Sequence, residues 1–208
     1  MEITVISDTH NVHEELGTLR GEVLIHCGDM FNQFHADEDE LEKIDAWFGR
    51  QEFELILCIG GNHDFRLQEL VKRTTTPFQN AIYLQDSSYA FKGFTFYGAP
   101  WVPNLPGQAF DLHSEALFEK WRQIPHDTDV LITHTPPLGI LDVPSRTNVP
   151  CGCTHLESRV FEVAPMLHCF GHVHASSGQT SSNGITFMNA SMVNSQYELA
   201  QSPYSFSA

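Results

Sequence analysis

Five short clusters in this 208-residue chain carry side chains able to hold a metal ion: Asp8-Thr9-His10, Gly28-Asp29, Gly60-Gly61-Asn62-His63-Asp64, His134, and Gly171-His172-Val173-His174. Every donor among them is a nitrogen or an oxygen, and none is a thiolate. Imidazole mixed with carboxylate suits Mn, Fe, Zn, Ni or Co better than Ca, which prefers oxygen alone. Asp8 and His10 are two residues apart, as are His172 and His174. In an extended segment such pairs project to one side, so each pair could serve one ion or two neighbouring ions. Metals in two-metal hydrolases sit ~3.5–4 Å apart, close enough for one carboxylate such as Asp29 to bridge them. A single Asp-x-His or an isolated His before a loop is commonplace. Five clusters in one order are not.

The elements that must position these residues can be read from pattern. Residues 3–7, 23–26 and 55–59 are short, apolar and rich in β-branched side chains. Each runs into one of the first three clusters, as buried strands ending in turns do. Between the second and third, residues 38–48 place Leu41, Ile44 and Phe48 on one helical face. Strand, helix, strand predicts a parallel unit. Open α/β sheets gather ligands at the C-terminal ends of such strands. Further strands are predicted at 82–84, 89–91, 94–97, 130–133, 166–170, 177–180 and 185–188, with Lys92-Gly93 as a tight hairpin turn. Ser114 is expected to cap a helix presenting Leu117, Phe118 and Trp121. Thr154 and Glu157 form a capping-box pattern for a helix that Pro165 ends. Residues 1–193 make one domain in this reading, and the polar residues 194–208 a C-terminal tail along the surface.

Composition narrows the function. The formal net charge is −15, from 26 acidic and 11 basic residues. Such a surface repels nucleic-acid backbones and anionic membranes, so sequence-independent nucleic-acid binding is not expected. No apolar run is long enough to span a membrane. The first residues lack the pattern of a secretory signal, so a cytoplasmic protein is expected. The oligomeric state is not legible. Five cysteines fit a reducing compartment without disulfides. Cys151-Gly152-Cys153 is too closely spaced for the usual zinc arrangement and reads as a structural loop rather than a thiol site. Trp101 and the two proline-rich loops could wall a nucleobase or simply stiffen the surface.

The five clusters together resemble the motif blocks of the calcineurin-like metallophosphoesterase superfamily, over about residues 3–190. Residues 25–29, His134-Thr135-Pro136-Pro137, Gly152-Cys153 and Asn189-Ala190-Ser191 are more specifically similar to metallophosphoesterase-domain-containing proteins near the class III cyclic nucleotide phosphodiesterases. The resemblance implies an α/β (α+β) fold, a four-layer αββα sandwich of two mixed sheets flanked by helices. It implies two divalent metal ions, with Mn²⁺ expected first and Fe, Zn, Ni, Co or Mg as alternatives. Asp8, His10, Asp29 and His174 would hold one ion. Asp29 would bridge, and Asn62, His134 and His172 would hold the other. His63 would be catalytic, as a proton donor to the leaving oxygen, with Asp64 orienting it. Asn62, His63 and Arg66 would meet the substrate. The implied activity is hydrolysis of a small-molecule phosphoester by metal-activated water, expected to be a phosphodiester such as a cyclic nucleotide. A phosphomonoesterase and a catalytically silent scaffold are the alternatives. His26 could support the site or be a buried structural residue.

Overall fold

The computed structural model describes residues 1–32 and 39–208. The strands in chain order are β1 (Glu2–Ile6), β2 (Arg20–His26), β3 (Glu52–Cys58), β4 (Ile82–Tyr83), β5 (Ser87–Phe91), β6 (Phe94–Ala99), β7 (Val102–Pro103), β8 (Asp111–Leu112), β9 (Val130–Thr133), β10 (Leu167–Phe170), β11 (Gly178–Ser182), β12 (Ile185–Asn189) and β13 (Tyr204–Ser207). The helices are α1 (Glu40–Phe48), α2 (Phe65–Val71), α3 (Ser114–Trp121) and α4 (Thr154–Val163). One large sheet runs β13-β1-β2-β3-β4 and the other β11-β12-β10-β9-β6-β5. The inner neighbours pair in parallel, and antiparallel strands (β13, β11, β5) occupy edges.

Alternation explains the layers. Val23, Ile25 and Cys27 face one way and join Ile3, Val5, Leu55 and Leu57 against Phe96, Val130, Ile132, Leu167 and Cys169 of the second sheet. This is the core between the sheets. Leu24, Ile56 and Cys58 face the other way, and with them pack Ile44, Trp47 and Phe48 of α1. Across the second sheet, Phe187 takes the same role against Phe161 of α4, the ring centroids 6.1 Å apart. Strands buried on both faces read as continuous apolar runs, and burying each such side chain contributes ~1.5–3 kcal/mol. The αββα sandwich with two mixed sheets is the expected architecture.

Several expectations need correction. Residues 194–208 lie at the surface, none of them buried, but not as a mere tail: Tyr204–Ser207 is an edge strand whose Phe206 pairs with Ile3 of β1. Neither cap works as read. The N-cap of α3 is His113 and that of α4 is Cys153, and neither helix start has a side-chain cap bond. The Cys153 N–H donates instead to Pro136 O, and the Leu138 N–H to Cys153 O, which fixes where α4 begins. Phe118 is exposed, while Leu117 and Trp121 are buried. The start of the helix read over 38–48 lies outside the described residues. Trp101 is no wall of a binding cavity. It is buried against Phe110, its Nε1–H donates to Asp86 at 2.6 Å, and the Lys120 ammonium lies over its ring. The hairpin turn is as expected: Lys92 and Gly93 both take positive φ, 47° and 85°.

Candidate metal centre

The strand ends converge because their backbones are laced together. The Asp8 N–H donates to Gly28 O at 2.9 Å, the His10 N–H to Asp29 O at 3.1 Å, and the Gly171 N–H to His134 O at 3.1 Å. His26 ties the first two turns. It accepts from the Gly28 N–H through Nδ1 at 3.2 Å, so its Nε2–H donates to Thr9 Oγ1 at 2.9 Å. Burial holds this ring's pKa down at about 3, which leaves it a neutral bracket.

The extended geometry read from the spacing does not hold. Asp8, His10, Asp29 and His172 have φ of 51°, 39°, 53° and 70°. Each is a non-glycine residue in the left-handed region, where ~1–3 kcal/mol of strain per residue persists only if surroundings impose it. The site is a set of tight turns. Glycine is needed beside two of them: a Cβ on Gly61 would meet Asp29 Oδ1 at 2.3 Å, and one on Gly171 would meet Asp8 Oδ2 at 2.0 Å.

The turns bring all seven expected ligands together. Donor atoms of Asp8, His10 and His174 lie within 4.8 Å of one another, as do those of Asp29, His134 and His172, and those of His10, Asp29 and His63. Asn62 joins the second group, its Oδ1 2.9 Å from His172 Nδ1 and 3.1 Å from His134 Nε2. Asp29 stands between the halves, its Oδ2 3.4 Å from His134 Nε2 and 3.8 Å from His10 Nε2.

The hydrogen bonds show that this donor set fits metal. His10 donates its Nδ1–H to Phe31 O, His174 to Asn194 O and His134 to Cys27 O, at 3.0, 3.2 and 2.8 Å. Each ring therefore presents an Nε2 lone pair inward. Two of those lone pairs, on His10 and His174, face each other at 3.2 Å. His134 Nε2 faces the acceptor oxygens of Asn62 and Asp29. Acceptors crowded on acceptors suit a cation between them, and a ligating imidazole that donates its other N–H to a carbonyl is the usual support for one. Beneath Asp8, Ser191 Oγ lies 2.8 Å from Oδ2, and the His172 N–H donates to the same oxygen at 2.9 Å.

Protons can occupy the same positions. Burial pushes His134 down, but the adjacent Asp29 charge outweighs it and raises the ring to about 9. His174 is likewise pushed down by burial and raised by its bond to Asp8. His10 and His172 are held at about 4, chiefly by burial. Ligation needs neutral imidazole. Metal uptake near pH 7 is therefore expected to release about one to two protons per chain, from His134 and His174. Because a raised pKa favours the protonated ring below about 9, apparent metal affinity should rise from pH 6.5 to 9 and level off above. Calorimetry in two buffers of different ionisation enthalpy checks this; uptake without proton release would contradict it.

Gly171→Ala tests the close approach. The added methyl is expected to push Asp8 aside, lower metal content at the Asp8–His10–His174 end and destabilise the fold by ~1–3 kcal/mol. Metal analysis and thermal melting read this out, and a variant with unchanged metal content and activity would contradict it.

Two expected residues do other work. Asp64 does not orient His63: it accepts from the Gly61 N–H at 2.8 Å and the Phe31 N–H at 3.1 Å, and is fully buried. It braces the glycine turn, and His63 Nδ1 is buried without a hydrogen-bond partner among the described residues. Arg66 pairs with Glu40, Nε to Oε1 3.6 Å, and lies with Leu41, Phe65 and Glu69 rather than among the ligands. His63 does belong to the centre. Its ring stands edge-on to His10 with centroids 4.7 Å apart, and its backbone N–H donates to Asp29 Oδ1 at 2.8 Å.

Tyr197 went unread in the sequence. Its ring stacks edge-on over His10, centroids 4.7 Å apart, and lies 5.7 Å from His174 and 6.2 Å from His63. Asn194 holds it there: its Oδ1 accepts from the Gln196 and Glu198 N–H groups, and its carbonyl takes the His174 Nδ1–H. An Asn-Ser pair opening a turn before an aromatic was the available signal.

Comparison with known proteins agrees with this geometry. The family described as Calcineurin-like phosphoesterase matches residues 1–176. Metallophosphoesterase domain-containing protein 1 of Homo sapiens is 35% identical, over 95% of this chain and 68% of its own length. UPF0046 protein K07C11.7 of Caenorhabditis elegans is 33% identical, over 99% of this chain and 74% of its own. Among solved structures, phosphopantetheinyl hydrolase from Mycobacterium tuberculosis superimposes with a TM-score of 0.62 at 15% identity, covering 94% of this chain and 90% of that one. TT1561 of Thermus thermophilus gives 0.60 at 10% identity, covering 90% and 88%. These two structures bear on the fold alone; the sequence matches, with a ligand set suited to two divalent ions, establish that the chain belongs to the calcineurin-like phosphoesterase family of metal-dependent phosphoric ester hydrolases.

Proposed function

We propose that the chain is a dinuclear phosphodiesterase acting on small phosphodiesters, cyclic nucleotides among them, with Mn²⁺ as its preferred ion. The observation that carries the reading is the complete ligand set, in which Asp29 is shared between two clusters of inward-facing donors. Asp8, His10, Asp29 and His174 would hold one ion, and Asp29, Asn62, His134 and His172 the other. Bound there, divalent ions supply a water acidic enough to act near neutral pH and positive charge for the phosphoryl oxygens. His63 reaches the centre without serving either half as a main ligand, and its half-buried ring can donate an N–H to a substrate oxygen. Burial lowers its pKa, which makes the protonated ring a stronger acid toward the leaving oxygen. His26 and Asp64 keep the turns rigid, and Tyr197 covers the outer side of His10.

Charge supports a diester. A monoester dianion carries one more negative charge, and sites built for it usually add Arg forks. Arg66, the cation nearest the Asn62-His63-Asp64 turn in sequence, is turned to Glu40. Two carboxylates, Asp8 and Asp29, already offset part of the ions' charge. The test is kcat/KM for matched p-nitrophenyl mono- and diesters at neutral pH with the same Mn²⁺ concentration. We expect the diester to be preferred, and a monoester advantage of about tenfold (~1.4 kcal/mol) would make the protein a phosphomonoesterase. Five free cysteines support a reducing compartment, and we place the enzyme in the cytoplasm. No helix among the described residues is long and apolar enough to cross a membrane.

A further inference from the structure

A cavity of about 600 Å³ opens beside the metal centre, with His172 and His174 on its wall. That volume lies within the usual range for small-molecule sites. Pro144, Val173, Ala175, Val193 and Ala200 give it an apolar lining. Arg146 also lines it, and this cation is unusual in the molecule. Arg73 and Arg146 are the two basic residues with no carboxylate partner among the described residues; the other nine Lys and Arg side chains are paired. Arg73 lies elsewhere, beside Leu70 and Glu69. In a chain of net charge −15, an unpaired guanidinium on a cavity wall is conspicuous.

The Arg146 loop is fixed relative to the ligands. Buried Asp142 accepts from the Gly139 N–H at 2.8 Å and the Gly152 N–H at 2.9 Å, and the Cys151 N–H donates to its carbonyl at 3.1 Å. These bonds clamp the foot of the loop. Ser176, two residues beyond His174, accepts from the Val143 N–H at 3.0 Å and donates to Val143 O at 2.8 Å. The Cys151-Gly152-Cys153 motif closes the clamp: a Cβ on Gly152 would meet Pro137 O at 2.5 Å, and Cys153 Sγ accepts from the Trp121 Nε1–H at 3.3 Å. The same turn that carries His172 and His174 thus anchors the loop that carries Arg146.

We propose that this cavity receives one ester arm of the substrate, and that Arg146 selects arms bearing a second anionic group, as in a diester of a nucleoside phosphate. The inference rests on the phosphodiesterase reading of the centre. Arg146 presents planar donors suited to anionic oxygens and shares the cavity wall with His172 and His174. The acidic surface alone would disfavour an extra negative charge, so any preference for one must be local.

Two chromogenic diesters test this, thymidine 5′-(p-nitrophenyl phosphate) and its 3′-phosphate derivative, with p-nitrophenol release as the readout. Wild-type protein should favour the 3′-phosphate form in kcat/KM by about tenfold or more. Arg146→Gln should bring that ratio close to one or below it, Arg146→Lys should keep part of it, and Arg73→Gln should leave it as in wild type. A wild-type ratio of one or less, or a ratio that survives Arg146→Gln, overturns the selection by Arg146 while leaving the phosphodiesterase reading intact. Failure to turn over either diester alongside rapid hydrolysis of p-nitrophenyl phosphate removes the underlying reading and this inference with it.

Discussion

Changing Asp29 to alanine is expected to remove both metal ions and to lower kcat/KM on a phosphodiester by ~10³-fold or more, because metal charge stabilisation of the transition state is worth several kcal/mol. No other ligand change should be as damaging. Asp29 is the carboxylate whose Oδ2 faces His134 in one half and His10 in the other. Its Oδ1 also takes the His63 backbone N–H at 2.8 Å, so alanine frees the His63 turn as well. Asp29→Asn separates these effects, since it keeps an oxygen for the His63 N–H and loses the charge. That variant should fold, melt cooperatively and still bind less than the full complement of metal. Elemental analysis with kinetics on the same preparations decides. If Asp29→Ala keeps two ions per chain, the bridging role fails.

His63→Ala should behave differently, keeping its metals and losing turnover. A positioned proton or hydrogen-bond donor contributes ~10²–10⁴-fold. The loss should be concentrated on diesters with alkoxide leaving groups and be much smaller on p-nitrophenyl esters, whose phenolate departs with little help. The geometry behind this is the ring's place edge-on to His10, with the His63 backbone N–H held by Asp29 Oδ1. Asp64 cannot assist directly, because both its oxygens are occupied by the Gly61 and Phe31 amides. Asp64→Asn should therefore act through the turn, reducing stability and metal content together. Equal losses for His63→Ala on good and poor leaving groups would move His63 from the leaving oxygen to the phosphoryl oxygens.

What the sequence revealed of this site was its chemistry more than its geometry. The five clusters were legible because imidazole and carboxylate at the ends of strands apolar on both faces suit a dication. The choice of seven ligands among them was what the family resemblance implied, and the structure brings those seven side chains together. Spacing alone misplaces the Asp8/His10 pair, since an extended strand end does not accommodate residues with φ of 51° and 39°. The turn conformation is imposed by bonds to Gly28 and Asp29, about twenty residues away in sequence. Arg66 looked available beside the Asn62-His63-Asp64 turn, but its partner Glu40 belongs to another helix. Tyr197 and β13 escaped for a related reason. Four residues of alternating Tyr, Ser, Phe and Ser are too short to show a period, and their strand partner is β1 at the other end of the chain. The cap of α4 failed because long-range backbone bonds, not local side chains, set where that helix starts.

The most direct measurement of the central claim is turnover of bis-p-nitrophenyl phosphate by one preparation before and after chelation, followed by titration with Mn²⁺ and metal analysis at each step. Chelated protein should be inactive while remaining folded, and activity should return as the chain takes up two ions. Full turnover by protein shown to be free of metal would contradict the account.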